Sequence, residues 1–354
     1  MLLTQGNFAT SRAYIDSNWV DGGISVKDYK LTSYGETAGD QGMAIPGFVD
    51  LQVNGHGGVD FLKAKDVSDI RKISRSLFNF GVVAYLPTLI TGPIANHLRV
   101  IALIEQVRKE PLLGEAVIIG IHLEGPFISP IKPGVHPVEH ILEPDIKLLG
   151  EFIRTGKISQ VTIAPELPRA IEVIKFLTDS GIVVSLGHSN ADTKESNAGF
   201  NAGAVTVTHL WNAMRKKSEN QPGLAQVALE RDDVIIQLII DSIHLDKQLV
   251  IDSIKQCANR FIVTVDAVSA AGLGDGKFQL GEVEIEVKNN RVSRSDGTLA
   301  GGVGTLRNSL SLMWEYGISL EDGLDSLTSR GADLMGRPDL GRLTLGSPAQ
   351  IWSF

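Results

Sequence analysis

The segment from residue 182 to residue 214, IVVSLGHSNADTKESNAGFNAGAVTVTHLWNAM, decides the fold prediction. An apolar run, 182–186, ends in Gly-His-Ser; a helix-like segment follows, and a second apolar run, 204–208, ends in His209. A strand–helix–strand unit of this length places both strands parallel in one sheet, so His188 and His209 leave it at the same edge. Either histidine alone is better explained as a hydrogen-bonded strand-end residue. Their equivalent positions in successive units make them a candidate metal pair.

The same alternation of apolar runs and helix-length amphipathic segments begins at Met43 and continues through eight predicted strands. These strands are residues 44–53, 82–87, 117–123, 159–164, 182–186, 204–208, 234–240 and 261–265. The pattern predicts an α/β fold, a (β/α)8 TIM-like barrel whose chemistry lies where the strands end. An open doubly wound sheet is the alternative.

Both chain ends differ in sequence pattern from the barrel segments. Residues 1–43 are polar and in places alternating, and the strand-like end GRLTLGSPAQIWSF (341–354) follows the last predicted helices, 303–316 and 320–335. We therefore expect a small β-sandwich domain built from residues 1–43 with residues 337–354 returning to it, and a barrel over residues 44–336. An alternating segment within 272–302 predicts a hairpin inserted before the last helices.

Composition excludes several classes of function. The chain has 354 residues, with 33 Lys and Arg against 41 Asp and Glu, a formal net charge of -8. This balance argues against nucleic acid or an anionic membrane as the main partner. The single cysteine, Cys257, lies in a predicted helix, which excludes a disulfide framework and favours a core position. Without a secretory signal or a membrane-length apolar run, we expect a cytoplasmic protein.

Two acidic residues at strand ends complete a candidate catalytic set. Glu124 closes the third strand in GIHLEGPF, where an unpaired charge would be costly, so a cation partner is physically motivated. With His188 and His209 it forms a three-ligand set that leaves one zinc position open for water. Asp266, at the end of the eighth strand in VTVDA, can act as base and then as acid. Capping or salt-bridge roles are the alternatives for both carboxylates.

Seven strings carry a family resemblance: PGFVDLQVNG (46–55), HLEGPF (122–127), GHSNA (187–191), THLWNAM (208–214), IDSIH (240–244), VDAVSAAG (265–272) and GTLAGG (297–302). Together they resemble the N-acetylglucosamine-6-phosphate deacetylase family of the amidohydrolase superfamily, over roughly residues 44–350. The resemblance implies metal-dependent removal of acetate from an amino-sugar phosphate, N-acetylglucosamine 6-phosphate, in amino-sugar catabolism. It also implies a homodimer.

Site residues carry over from this resemblance position by position. It implies that Glu124, His188 and His209 are metal ligands, that Asp266 is the catalytic aspartate, and that His136 polarises the acetamide carbonyl. The substrate-binding positions that it implies are Val135, Asn212, Ala213, His244, Leu299, Ala300 and Gly301.

The chain departs from the family pattern at two places. Many superfamily members have His-x-His after the first strand and bind two metals, whereas this chain has Gln52 and Asn54. Because amides hold a cation more weakly than imidazoles, we predict one tightly bound divalent ion per subunit, zinc. His56, nearby, is expected to be a surface-loop residue. At the second place, the family usually has an arginine that binds the sugar phosphate across the dimer interface. This chain has Asn220 at that substrate-binding position.

Several alternatives stay open at this stage. Arg215, Lys216 and Lys217 could replace the missing arginine or form a solvated basic loop. The substrate could be N-acetylgalactosamine 6-phosphate or an unphosphorylated N-acetyl sugar. From another class, the chain could be a non-catalytic sugar-phosphate binding protein. The glycine-rich runs 272–276 and 301–304 lack the P-loop lysine and the dinucleotide fingerprint, which argues against nucleotide binding.

Overall fold

Six short strands precede the barrel in the computed structural model, which describes residues 5–28, 30–215, 222–346 and the backbone of 351–353. The strands are β1 (Gly6–Phe8), β2 (Arg12–Ile15), β3 (Asn18–Asp21), β4 (Gly23–Lys27), β5 (Lys30–Glu36) and β6 (Met43–Pro46). β1, β4 and β5 form an antiparallel sheet. In a second sheet, β2 pairs with β3 antiparallel and with β6 parallel. Apolar residues of both sheets and Leu343, which follows α10, form a small core with the sheet members Ala13, Ile15, Ile24, Val26, Leu31 and Ala44.

The barrel strands follow in chain order, with short strands beside two of them. They are β7 (Phe48–Val53), β8 (Gly55–His56), β9 (Val59–Asp60), β10 (Val82–Ile90), β11 (Val117–Ile118), β12 (Ile121–Glu124), β13 (Ile158–Ile163), β14 (Val183–Leu186), β15 (Thr206–Val207), β16 (Ile235–Ile239) and β17 (Phe261–Thr264). Among the described residues, β7 pairs in parallel with β10, and β10 pairs with both β11 and β12. Parallel pairing then continues in chain order from β12 to β17. A parallel bridge between Val53 and Ala267 brings the last strand to the first. The predicted (β/α)8 barrel is confirmed.

Ten α-helices lie within the described residues. They are α1 (Val67–Asn79), α2 (Ile94–Lys109), α3 (Ile146–Thr155), α4 (Ala170–Asp179), α5 (Thr193–Asn201), α6 (Leu224–Glu230), α7 (Lys247–Cys257), α8 (Leu306–Glu315), α9 (Leu320–Leu327) and α10 (Ser329–Leu334). Side-chain caps explain several starts: Asp66 accepts hydrogen bonds from two first-turn amides of α1, and Asp192 with Glu195 forms a capping box on α5. None of the helices in the described parts of the chain is long and apolar enough to cross a membrane.

The remaining strands form an antiparallel insertion and a terminal strand. β18 (Gly276–Leu280), β19 (Val283–Lys288) and β20 (Arg291–Ser293) make a three-stranded sheet where we predicted a hairpin, so that prediction was one strand short. Asn289 and Asn290 both have positive φ angles, 51° and 63°, which suits the turn between β19 and β20. β21 (Ile351–Ser353) pairs with β6, so the chain end lies beside the N-terminal strands. The division of the chain at residue 43 stays a prediction, and β6 spans it.

Two predicted elements are each divided in the structure. The strand predicted over 44–53 is β6 and β7, because the chain changes sheet at Gly47. There the backbone runs so close to the barrel that an added Cβ would lie 2.1 Å from Val83 Cγ1. The helix predicted over 320–335 is α9 and α10, which Thr328 separates with φ -132° and ψ -89°.

Candidate active site

A cleft of about 470 Å³ opens at the carboxyl ends of the barrel strands. Four of the predicted site residues lie in it at the ends of four strands: Glu124 on β12, His188 after β14, His209 after β15 and Asp266 after β17. The predicted convergence of these distant segments is therefore present in the structure.

Glu124, His188 and His209 bring three ligand atoms together. Glu124 Oε1 lies 2.9 Å from His209 Nε2 and 3.2 Å from His188 Nε2, and the two imidazole nitrogens are 3.1 Å apart. All three side chains are buried. One carboxylate and two imidazoles are a donor set that suits zinc and related divalent ions, so these residues fit a metal ion.

Neighbouring groups fix the orientation of these ligand atoms. His188 Nδ1 lies 3.1 Å from the carbonyl oxygen of Lys132, which can only accept, so the proton is on Nδ1 and Nε2 is free to bind a cation. Gln52 Nε2 donates to Glu124 Oε1 at 3.0 Å. Both contacts are of the kind that orient metal ligands in proteins.

The two carboxylates of the cleft, Glu124 and Asp266, have pKa values shifted in opposite directions. Burial by itself would raise the pKa of Glu124, but hydrogen bonds and charge interactions with His188 and His209 lower it well below the usual value. Burial and the nearby charge of Glu124 raise the pKa of Asp266. Glu124 is therefore the permanent anion of the pair, and Asp266 is the one that can exchange a proton.

The backbone is strained at three of the strand ends in the cleft. His188, His209 and Asp266 have φ angles of 46°, 33° and 55°, in the left-handed region that non-glycine residues seldom adopt. Ala213 in the cleft wall has φ 50°. Conformations of this kind cost about 1–3 kcal/mol each and persist where the surrounding structure enforces them, commonly at functional sites.

Gln52 and Asn54 have a role that the sequence did not reveal. They lie two residues apart at the end of β7, so both side chains point to the barrel interior. Asn54 Nδ2 donates to Asp266 Oδ1 at 2.6 Å, and Gln52 donates to Glu124. The two amides thus hold the two carboxylates of the cleft. Their spacing as buried amides on one strand face was the available signal.

His136 is held as a neutral hydrogen-bond donor. The Thr91 backbone N–H donates to His136 Nδ1 at 3.2 Å, and Thr91 Oγ1 lies 2.8 Å from the same atom. Since an N–H can only donate, the imidazole proton is on Nε2, which lies 3.9 Å from Glu124 Oε2. Burial lowers the pKa of His136 well below its usual value. The ring therefore offers an uncharged N–H to the cleft.

Most of the predicted substrate-binding residues line the cleft: Val135, Asn212, Ala213, His244, Leu299 and Gly301. His244 Nδ1 lies 2.7 Å from Asp241 Oδ2, which fixes its ring. Ala300 is fully buried and does not line the cleft; its N–H donates to the carbonyl oxygen of Val292. Asn220, together with Lys216 and Lys217, lies outside the described residues.

One expectation about a basic residue is wrong, and a second basic residue has a contact that bears on its role. His56, predicted as a surface-loop residue, is 3% exposed; its Nδ1 lies 2.8 Å from Ser76 Oγ and its ring packs against Phe80, so the surface prediction was wrong. Arg215 donates from Nε and Nη2 to the carbonyl oxygen of Asn190, so its guanidinium is tied to the neighbouring loop.

Comparison with known proteins places this cleft in a family. Residues 43–354 match the sequence profile of the amidohydrolase family. The chain belongs to the amidohydrolase family. N-acetylglucosamine-6-phosphate deacetylase from Mus musculus is 33% identical over 363 residues, covering 94% of this chain and 86% of the relative. The enzyme of the same name from Bacillus subtilis (strain 168) is 32% identical over 317 residues, covering 87% of this chain and 79% of the relative.

Solved amidohydrolase structures agree with the sequence comparison. The crystal structure of N-acetylglucosamine-6-phosphate deacetylase from Pasteurella multocida has a TM-score of 0.91 and 27% identity, over 98% of this chain and 94% of that one. A Mycobacterium smegmatis deacetylase mutant in complex with N-acetyl-D-glucosamine-6-phosphate also has a TM-score of 0.91, with 25% identity and the same coverage. The resemblance identified from the seven sequence strings is confirmed. Amidohydrolases are metal-dependent, and the triad of Glu124, His188 and His209 is the corresponding candidate metal site here.

Proposed function

We propose that this amidohydrolase removes acetate from N-acetylglucosamine 6-phosphate and releases glucosamine 6-phosphate in amino-sugar catabolism. Its curated relatives carry the name of this activity. The observation that carries the proposal is the convergence of Glu124, His188, His209 and Asp266 in one cleft at the carboxyl ends of the strands. We further propose that the enzyme is a cytoplasmic homodimer, as the sequence resemblance implies.

The metal of the proposed site is one zinc ion per subunit, held by Glu124, His188 and His209. When bound, such an ion polarises the substrate carbonyl and lowers the pKa of a water molecule toward neutrality. Gln52 keeps Glu124 aligned, and the Lys132 carbonyl keeps the donor nitrogen of His188 turned toward the cleft. An amide at residue 52 holds a cation more weakly than an imidazole would, which supports a single tightly bound ion.

Asp266 is the proposed proton carrier. Its carboxylate takes a proton from the attacking water while the new C–O bond forms at the acetyl carbon. It then delivers that proton to the amide nitrogen as the C–N bond breaks, so that the sugar leaves as the free amine. A carboxyl group suits both steps when its pKa is raised, as burial and the charge of Glu124 do here.

His136 is the proposed second donor to the carbonyl oxygen. Because Thr91 holds its Nδ1 as an acceptor, the Nε2–H group is directed into the cleft. A neutral donor whose orientation is fixed in advance stabilises developing negative charge without having to reorganise. We propose that Asn212, Ala213, His244, Val135 and the 299–301 turn bind the sugar.

A metal-reconstitution assay tests this function. The chelated protein should release no acetate from N-acetylglucosamine 6-phosphate, and added zinc should restore release with one equivalent bound. Parallel assays on N-acetylgalactosamine 6-phosphate and on N-acetylglucosamine show which epimer is preferred and whether the phosphate is needed. A protein that binds these sugars with zinc present but releases no acetate would refute the proposed activity and support a non-catalytic role.

A further inference from the structure

A second cavity, of about 530 Å³, lies beside the catalytic cleft. Ile90 and Leu280 line the catalytic cleft, and the next residue of each segment, Thr91 or Gly281, lines the second cavity. The two spaces therefore share a wall. We call the second one the lateral cavity. Its volume is within the range of about 300–1,000 Å³ typical of small-molecule sites.

The lateral cavity is lined by three basic side chains, Lys63, Lys65 and Arg99. Within the described ranges, none of them lies within ion-pair distance of a carboxylate. Glu282 also lines the cavity, but its Oε2 lies 2.9 Å from His140 Nε2, which turns it toward a different partner. The charges of Asp60 and Asp66 interact with Lys63 and Lys65 at longer range, so the three basic side chains leave a partly offset positive potential here.

Among the residues that the structure describes, Arg99 donates hydrogen bonds to neutral acceptors only. Nη1 donates to the carbonyl oxygen of Ala64 at 2.7 Å, and Nε and Nη2 donate to Asn96 Oδ1 at 3.1 and 2.7 Å. Asn96 in turn donates to the carbonyl oxygen of Leu62 at 2.8 Å. These bonds use three of the five N–H groups of the guanidinium and none of its charge. The remaining two can bind an oxyanion in a fixed geometry.

The start of α2 adds to the positive potential. Gly92 and Pro93, which precede the helix, line the lateral cavity. The helix has no side-chain cap and no acidic residue in its first turn, so its positive end is not neutralised. The helix that follows this end, α2, has 16 residues. The positive end of a helix dipole at such a position favours a phosphate group.

Buried contacts hold the walls of the lateral cavity together. The carboxylate of Asp60, which is buried, accepts a hydrogen bond from the Lys63 backbone N–H at 3.1 Å and another from the Gly281 N–H at 3.1 Å. The segment that carries the two lysines is thereby joined to the turn between β18 and β19. The two sides of the cavity are therefore held together by buried contacts, while Lys63, Lys65 and Arg99 are exposed.

We propose that the lateral cavity binds a phosphate group, either as free phosphate or as the phosphate of a small phosphomonoester, at a site separate from the catalytic cleft. Two lysines, a preoriented guanidinium and an uncapped helix start together match a dianion. This inference goes beyond the proposed deacetylase reaction and does not depend on it.

Calorimetric titration of the full-length, zinc-loaded protein tests the proposal. The probes are inorganic phosphate and glucose 6-phosphate, which has no acetamide to hydrolyse. The saturable binding that remains when the cleft is changed by His244→Gln should weaken roughly tenfold or more when Arg99→Gln or Lys65→Gln is added. Arg99→Lys should have an intermediate affinity, because it keeps the positive charge and loses the paired N–H donors of the guanidinium. The matched control Arg154→Gln removes an exposed arginine from α3 and should bind as the wild type does.

A cleft variant locates the bound phosphate. His244→Gln changes the catalytic cleft and should leave binding at the lateral cavity intact. Loss of binding in His244→Gln with retention in Arg99→Gln and Lys65→Gln would overturn the proposal, as would the absence of saturable binding to the wild type. The side chain of Lys65 makes no hydrogen bond within the described structure, so Lys65→Gln tests the site even if Arg99→Gln folds poorly. The tighter of the two probes identifies the source of the phosphate.

Discussion

Asn54 Nδ2 lies 2.6 Å from Asp266 Oδ1, across the seam where the first and last strands of the barrel meet. The hydrogen bond lowers the pKa of Asp266, which burial and Glu124 raise. Asn54→Leu should therefore raise that pKa further and misalign the carboxylate. We expect kcat to fall roughly 10–100-fold, KM to change little, and the acidic limb of the kcat profile to move to higher pH. Steady-state kinetics across pH, with zinc content measured in parallel, checks this. An unchanged profile would show that Asn54 does not act on Asp266.

Gln52 gives a separate prediction about metal affinity. Its Nε2 donates to Glu124 Oε1, so Gln52→Leu frees the carboxylate to turn away from the histidines. Zinc should bind about 10–100-fold more weakly, as measured by competition with a chelator. Gln160→Leu is the matched control, because it removes a buried barrel amide that bonds to Gln237 and not to Glu124. Equal zinc affinities in the two variants would contradict the orienting role of Gln52.

The strand-end residues were predictable because local pattern and topology together determine their position. Apolar runs ending in His188, His209, Glu124 and Asp266 predict parallel strands, and parallel strands of a closed barrel deliver their last residues to one rim. Period and spacing therefore predict the convergence and favour the barrel over an open doubly wound sheet. The set of one carboxylate and two imidazoles favoured zinc. The substrate came from the resemblance, since the residues themselves fit any acyl amide.

The supporting contacts were not predictable, because each joins residues far apart in the chain. Gln52 meets Glu124 across 72 positions, and Asn54 meets Asp266 across 212. No period in the sequence encodes which buried amide faces which carboxylate. His56 was misassigned for a similar reason, since its burial depends on Ser76 and Phe80 of the α1 region.

Asp266 is expected to be essential for turnover but not for metal binding. Asp266→Asn keeps the shape and a hydrogen-bonding partner for Asn54 but cannot accept the proton of the attacking water. Acetate release should fall by roughly 10²–10⁴-fold or more, while zinc content by elemental analysis stays at the wild-type level. Substantial residual activity in Asp266→Asn would remove the proposed proton carrier.

His136 and Thr91 form a donor and its support. His136→Ala removes the N–H directed at the carbonyl oxygen and should lower kcat roughly 10²–10³-fold, the range seen when one oxyanion donor is lost. Thr91→Val keeps the backbone N–H that fixes the tautomer and removes only the hydroxyl contact, so it should cost much less. Kinetics on both variants gives the ranking. A larger defect in Thr91→Val than in His136→Ala would contradict this assignment.

Asp50 predicts how stability depends on pH. It is 1% exposed inside the barrel, where it accepts hydrogen bonds from the Thr264 hydroxyl and the Gln52 N–H, and burial raises its pKa to about 7. A raised carboxyl pKa in the folded state contributes stability that is fully present below the unfolded pKa near 4 and is lost as the pH rises through 7. Asp50→Asn removes this contribution, together with the smaller charge interaction between Asp50 and Asp266.

The free energy of unfolding of Asp50→Asn should therefore rise relative to that of the wild type by roughly 3–4 kcal/mol as the pH increases from 4 to 8. Urea denaturation of both proteins at several pH values measures the difference, and taking the difference cancels groups such as Asp60, whose pKa burial also raises to about 7. If the two stability curves run parallel over this range, Asp50 is not protonated in the folded barrel near neutral pH. Its contacts with Thr264 and Gln52 would then be enough to keep the buried charge.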